Sequence, residues 1–175
     1  MTLEALKDSL GDFAKDIKLN VSTILTTDGA PNLTQSQIYG IALASAYGTK
    51  NREVIDAIKE EARMILSEAE QNAAKSAATI MAMNNIYYRF IHVTTDEEYS
   101  KMPAKLRMNV IGNPGIAKLD FELYSLAVSA INGCGMCMEA HTHEVLKAGI
   151  SKIGVQSTVR IAAVINAFAQ AVAIN

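Results

Sequence analysis

The segment Asn132-Gly133-Cys134-Gly135-Met136-Cys137-Met138-Glu139-Ala140-His141 carries both cysteines of the chain and one of its three histidines. Asn132 and Gly133 break the helix before it, which sets Cys134 at the start of the next. Backbone N–H groups are unpaired at such a start and the helix dipole is positive, so thiolate is favoured over thiol. A Cys-x-x-Cys spacing brings two sulfurs close enough for a disulfide at a helix N-terminus. At ~100° per residue, Cys134, Cys137 and His141 share one face, and His143 points roughly opposite. An imidazole one turn beyond a thiol can take or give its proton near neutral pH. The chemistry open to this group is thiol–disulfide exchange or the reduction of a peroxide by a thiolate.

Glu122 lies on the preceding helical segment. There Leu119, Phe121, Leu123, Leu126, Val128 and Ile131 are apolar, and Glu122, Ser125 and Ser129 form a narrow polar stripe. A carboxylate on a largely buried helix needs a partner, and the cysteine–histidine face is the candidate. Blander readings stand beside these. Cys134 and Cys137 could be half of a zinc site completed by His141 and a carboxylate, but structural zinc usually draws on two separated ligand pairs and no second pair exists. Both cysteines could be plain core residues, since free cysteine is often buried. Glu122 taken alone reads as a solvated or salt-bridged helix residue. His92 and His143 read as surface or capping residues. The eight methionines are spread along helices and read as core filler, not as a copper site.

The elements that must position these residues are helical. Alanine, leucine, methionine and glutamate are frequent, and alternating β-branched runs are missing. Leu3, Leu6, Leu10, Phe13 and Ile17 recur at steps of three and four and predict one amphipathic helix. Residues 20–30 lead through Thr-Thr-Asp-Gly to Pro31 and predict a loop. Thr34 predicts the cap of a helix to about Tyr47, ended by Gly48, and Asn51 the cap of the next. A long Ala- and Met-rich helix from about Glu68 to Phe90 is expected inside the molecule. Residues 92–118, with Asp96, Glu97, Glu98, Pro103 and Pro114, are the least regular. Three further helices follow, at about Lys118–Ile131, Gly135–Ala148 and Ser151–Ile174, with Gly149 at a C-cap and Ser151 at an N-cap.

Half of the 175 residues are apolar and 19% are charged, which suits one packed domain and not a disordered chain. A formal charge of −2 argues against nucleic-acid binding. No signal peptide is visible, and no stretch approaches the ~20 apolar residues of a membrane span. The expected compartment is the cytoplasm, where a close cysteine pair is catalytic or metal-binding more often than structural. Leu43-Ala44-Ser45-Ala46 has a counterpart in Ala127-Val128-Ser129-Ala130. Each is followed by a polar break, a medium helix and a long Ala-rich helix with an internal asparagine, Asn84 or Asn166. This suggests two copies of one helical unit: a single domain, 1–175, with a non-catalytic unit over about 1–112 and a catalytic unit over about 113–175. The first copy has Lys50 and Glu53 where the second has Cys134 and Cys137.

Several segments together resemble the AhpD family of alkyl hydroperoxide reductases, within the carboxymuconolactone decarboxylase-like superfamily. They are Asn109-Val110-Ile111-Gly112-Asn113-Pro114-Gly115, Phe121-Glu122-Leu123, and Ser129-Ala130-Ile131-Asn132-Gly133-Cys134-x-x-Cys137 with His141. In the first half they are Ala14-Lys15-Asp16-Ile17-Lys18-Leu19-Asn20, Leu43-Ala44-Ser45-Ala46 and Met81-Ala82-Met83-Asn84-Asn85. The resemblance covers nearly the whole chain. It implies an all-α fold of two related units, a homotrimer, and no bound metal or flavin. It implies an antioxidant thiol peroxidase of weak intrinsic activity that acts on small hydroperoxides. It further implies a disulfide reductant for the peroxiredoxin AhpC, with electrons from a dihydrolipoyl group on a lipoylated dihydrolipoamide acyltransferase. Cys137 would attack the peroxide, Cys134 would resolve the sulfenic acid as a Cys134–Cys137 disulfide, and Glu122 and His141 would relay protons. One departure stands out: the family pattern has histidine just before the second cysteine, where this chain has Met136, which carries no proton. The relay would then run through Glu122, His141 and water. The competing reading is a helical assembly module whose cysteine pair binds zinc or senses oxidation. A decarboxylase of the wider superfamily would not require Cys-x-x-Cys.

Overall fold

The structure is a computed structural model that describes residues Met1–Asn175. It is all-α, as the sequence pattern predicts: ten α-helices and one short 3-10 turn. The helices are α1 (Leu3–Asp8), α2 (Lys15–Ile24), α3 (Gln35–Thr49), α4 (Arg52–Ala62), α5 (Glu68–Val93), α6 (Glu98–Lys101), α7 (Asn109–Gly112), α8 (Lys118–Ile131), α9 (Gly135–Lys147) and α10 (Lys152–Ala173). The order medium, medium, long recurs: α3, α4, α5 and then α8, α9, α10.

Two helices are buried all round and form the centre. In α3 every residue from Ile38 to Ala46 is buried, and in α8 every residue from Phe121 to Ser129. A helix apolar on all sides has to be wrapped by others. Here α5 and α10 pack on both central helices, α4 on α3, and α9 on α8. The central pair approaches closely at Gly40, where a Cβ would collide with the Tyr124 hydroxyl and ring. Only glycine leaves room there for the Tyr124 ring and hydroxyl.

Side chains set the helix starts as their capping chemistry requires. Thr34 and Gln37 form a reciprocal capping box at α3, and Ser67 and Glu70 form another at α5. The Asn51 carboxamide accepts from the Val54 N–H at 3.2 Å and donates to the Ala169 carbonyl at 3.0 Å, tying α4 to α10. Ser151 accepts from the Gly154 N–H at 3.1 Å.

Four expectations are corrected. The N-terminal stripe is not one helix: α1 stops at Asp8, a 3-10 turn spans Asp12–Ala14, and α2 begins at Lys15. The break is held from the far end of the chain. The Gly11 N–H donates to the Asn175 carboxamide oxygen at 3.2 Å, and the Asn175 Nδ2 donates to the Ser9 carbonyl at 3.3 Å. Phe13 is left exposed. Second, α2 runs into the expected loop as far as Ile24, because Val21 and Ile24 continue a buried stripe. Third, Gly48 lies inside α3 and Lys50, at φ 61°, forms the C-cap. Fourth, α5 is not interior: Lys75, Thr79, Ala82, Ile86, Arg89 and Val93 lie exposed along one side.

Candidate redox site

Cys134 is the N-cap of α9, in an extended backbone conformation, and its sulfur accepts from the Cys137 N–H at 3.3 Å. Gly133 before it has φ 68°, a left-handed turn that residues with a Cβ resist. This turn ends α8 and starts α9 with almost no linker. The Cys134 N–H donates back to the Ser129 carbonyl at 3.1 Å. The two sulfurs are joined as a Cys134–Cys137 disulfide with Cα atoms 5.2 Å apart. Both cysteines are buried, Cys134 fully and Cys137 with 6% of its surface exposed.

His141 lies one turn further along α9. Its Nδ1 is 2.6 Å from the Glu122 Oε2, and both side chains are largely buried. At this distance the Glu122 carboxyl and Nδ1 share a hydrogen bond that fixes the orientation of the ring. Nε2 faces the Met81 Sδ at 3.3 Å. In this disulfide state the two ring partners are therefore Glu122 and Met81, not a cysteine sulfur. The structure thus brings Glu122 and His141 into contact on the helices that flank the Cys-x-x-Cys turn. His143 is exposed.

Polar groups on α5 and α8 hold the turn before Cys134, and the sequence pattern does not single them out. The buried Asn85 of α5 donates from Nδ2 to the Ser129 hydroxyl at 2.9 Å and accepts from the Asn132 Nδ2 at 2.9 Å. Arg89, one turn on, donates to the Asn132 carbonyl at 2.7 Å. Together Asn85 and Arg89 clamp both sides of the turn that leads to Cys134. Met81, Asn85 and Arg89 are spaced four apart, which is one helix face; that spacing was the available signal, hidden in an Ala-rich helix. Ser125, on the same stripe as Glu122 and Ser129, has a buried hydroxyl without a partner. His92 is exposed in the last turn of α5. Its Nε2 lies 3.9 Å from where a Cβ on Gly135 would be, so its ring borders the first turn of α9. No group of three or more Cys, His, Asp or Glu side chains is arranged to share a metal ion.

The fold and site define a class: an all-helical protein with a Cys-x-x-Cys disulfide at a helix N-cap and a buried His–Glu pair behind it. Residues 97–174 match the carboxymuconolactone decarboxylase family. Over 168 residues the chain is 55% identical to the alkyl hydroperoxide reductase AhpD of Coxiella burnetii (strain RSA 493 / Nine Mile phase I), covering 96% of this chain and 95% of that one. It is 53% identical over 169 residues to AhpD of Rhodopseudomonas palustris (strain BisA53), covering 97% and 92%. With AhpD of Rhodospirillum centenum (strain ATCC 51521 / SW) it shares 53% identity over 169 residues, covering 97% and 89%. The chain belongs to the AhpD family.

Proposed function

We propose that the protein is an antioxidant alkyl hydroperoxide reductase that works by cycling Cys134 and Cys137 between dithiol and disulfide. The observation that carries this reading is the Cys134–Cys137 disulfide at the α9 N-cap with the His141–Glu122 pair one turn away. In the reduced state the Cys137 thiolate attacks one oxygen of a small hydroperoxide. The O–O bond breaks, an alcohol leaves with a proton, and Cys137 becomes a sulfenic acid. Cys134 then attacks the Cys137 sulfur, water leaves, and the disulfide closes. His141, oriented by Glu122, passes protons to and from this pair through water, since Met136 offers none.

The cycle closes when a dihydrolipoyl dithiol on a lipoylated dihydrolipoamide acyltransferase reduces the disulfide. Two thiols are oxidised there to a cyclic disulfide and Cys134 and Cys137 are regenerated. The same Cys134–Cys137 dithiol reduces the disulfide of the peroxiredoxin AhpC. No metal or flavin takes part. The protein acts in the cytoplasm as a homotrimer; no helix is long and apolar enough to cross a membrane. The test is hydroperoxide-dependent oxidation of a dihydrolipoylated carrier by the purified protein, with and without AhpC. Turnover that needs both cysteines and rises with AhpC supports the reading. No transfer to either acceptor overturns it.

A further inference from the structure

A cavity of about 610 Å³ opens between the C-terminal turn of α3 and the exposed side of α5. Its size is that of a small-molecule site. It lies outside the disulfide and the His141–Glu122 pair, although Asn132, two residues before Cys134, forms part of its wall. Ala78, Ala82 and Ile86 supply an apolar strip, and Ile86 is 66% exposed.

The charges around this strip are of one sign. Lys50, Lys75 and Arg89 line the cavity and no acidic side chain does. None of the three is in an ion pair. Lys75 donates to the Asn72 carboxamide and Arg89 to the Asn132 carbonyl, both neutral acceptors. Three unpaired cations around an apolar wall run against the chain's net charge of −2. Lys75 and Arg89 stand roughly 21 Å apart along α5 at 1.5 Å per residue, so the strip between them accommodates a chain and not only a headgroup. A neutral apolar ligand would leave the cations unused. A polyanion would leave the Ala78–Ala82–Ile86 wall uncovered.

We propose that this cavity binds an anionic amphiphile, a carboxylate carried on an unbranched apolar chain. The headgroup is held at the Lys75 end of the strip and the chain runs over Ala78, Ala82 and Ile86 toward Arg89. The inference goes beyond the thiol reading and does not depend on it.

The test is calorimetric titration of the full-length protein with octanoate, with octanol as the uncharged arm. The expected result is saturable octanoate binding at one site per chain, at least tenfold tighter than octanol. Lys50→Asn combined with Lys75→Gln should weaken octanoate at least tenfold. Asparagine is chosen because it tolerates the positive φ at Lys50. Ile86→Asp should weaken it similarly, with an unchanged helical circular-dichroism spectrum. Absence of octanoate binding overturns the proposal, as does equal affinity in the cation variant. Should Ile86→Asp shrink the assembly while octanoate leaves the wild type untouched, the face is a contact between copies and the proposal fails. Turnover at Cys137 is not measured, so these outcomes leave the dithiol reading where it was.

Discussion

Glu122 and His141, nineteen residues apart in sequence, meet at 2.6 Å between α8 and α9, with both side chains largely removed from water. The carboxyl fixes the orientation of the imidazole beside the Cys-x-x-Cys turn. Glu122→Gln keeps an oxygen acceptor and loses the charge, and His141→Asn removes the titrating ring. Each should slow reduction of the Cys134–Cys137 disulfide by about 10²–10⁴, the usual range for a lost acid–base group, and should change its pH–rate profile. Thermal unfolding of Glu122→Gln should stay close to wild type. A pH–rate profile unmoved in both variants would remove the proton relay from the account.

Asn85 bridges Ser129 and Asn132 across the turn that sets Cys134. Asn85→Ala leaves two polar side chains without their partner, at a cost of about 1–3 kcal/mol for each buried group left unpaired. The variant should unfold at lower denaturant concentration, and its disulfide should exchange more slowly because the turn is no longer held. Chemical denaturation and stopped-flow reduction read the two effects separately. Normal exchange in a destabilised variant would limit Asn85 to a structural role.

Gly40 lets α3 and α8 approach at the Tyr124 ring. Gly40→Ala drives a methyl into the Tyr124 ring and hydroxyl. Overpacking of a full core costs about 1–3 kcal/mol and sometimes more, which outweighs the ~1 kcal/mol that alanine gains over glycine in a helix. The expected result is a lower Tm. Tyr124→Phe in the same chain should recover little of the loss, because the ring carbons Cζ and Cε1 stand nearly as close to the added methyl as the hydroxyl does.

Alkaline pH should weaken the fold through its buried tyrosines. Burial, with Asp120 and Glu70 adding to it, raises the Tyr124 pKa well above its ordinary value of about 10. Burial and the hydrogen bond to Glu61 raise that of Tyr39 in the same direction. Above pH ~10 the unfolded chain loses these protons and the folded chain keeps them. The folded state then binds more protons, so stability is complete below that pH and falls as pH rises through it. Unfolding curves from neutral pH upward should be flat to about pH 10 and then decline, and Tyr124→Phe should make the decline shallower. An unaltered slope in that variant would show that Tyr124 does not contribute.

Much of the architecture was legible because local chemistry sets it. Thr34, Asn51 and Ser151 stand at helix starts where their side chains accept a backbone N–H. The bounds of α8 follow from an apolar run closed by Asn132-Gly133. What stayed hidden depends on contacts remote in sequence. The break at Ser9–Gly11 is held by Asn175. The face of α5 is divided between a buried side near His141 and a cationic exposed side, a division that an Ala-rich sequence conceals. At the site, the cysteine spacing and the shared face of Cys134, Cys137 and His141 were open to inspection. The contact of Glu122 with His141 was only a candidate, and the parts taken by Met81, Asn85 and Arg89 had no sequence signal beyond their four-residue spacing.

The most direct measurement follows hydroperoxide consumption by the reduced protein, with the Cys134–Cys137 bond scored by mass spectrometry, in wild type and in Cys137→Ser. The account predicts one disulfide formed for each hydroperoxide reduced in the first turnover of wild type, and no hydroperoxide reduction in Cys137→Ser. Full peroxide reduction by Cys137→Ser would contradict it.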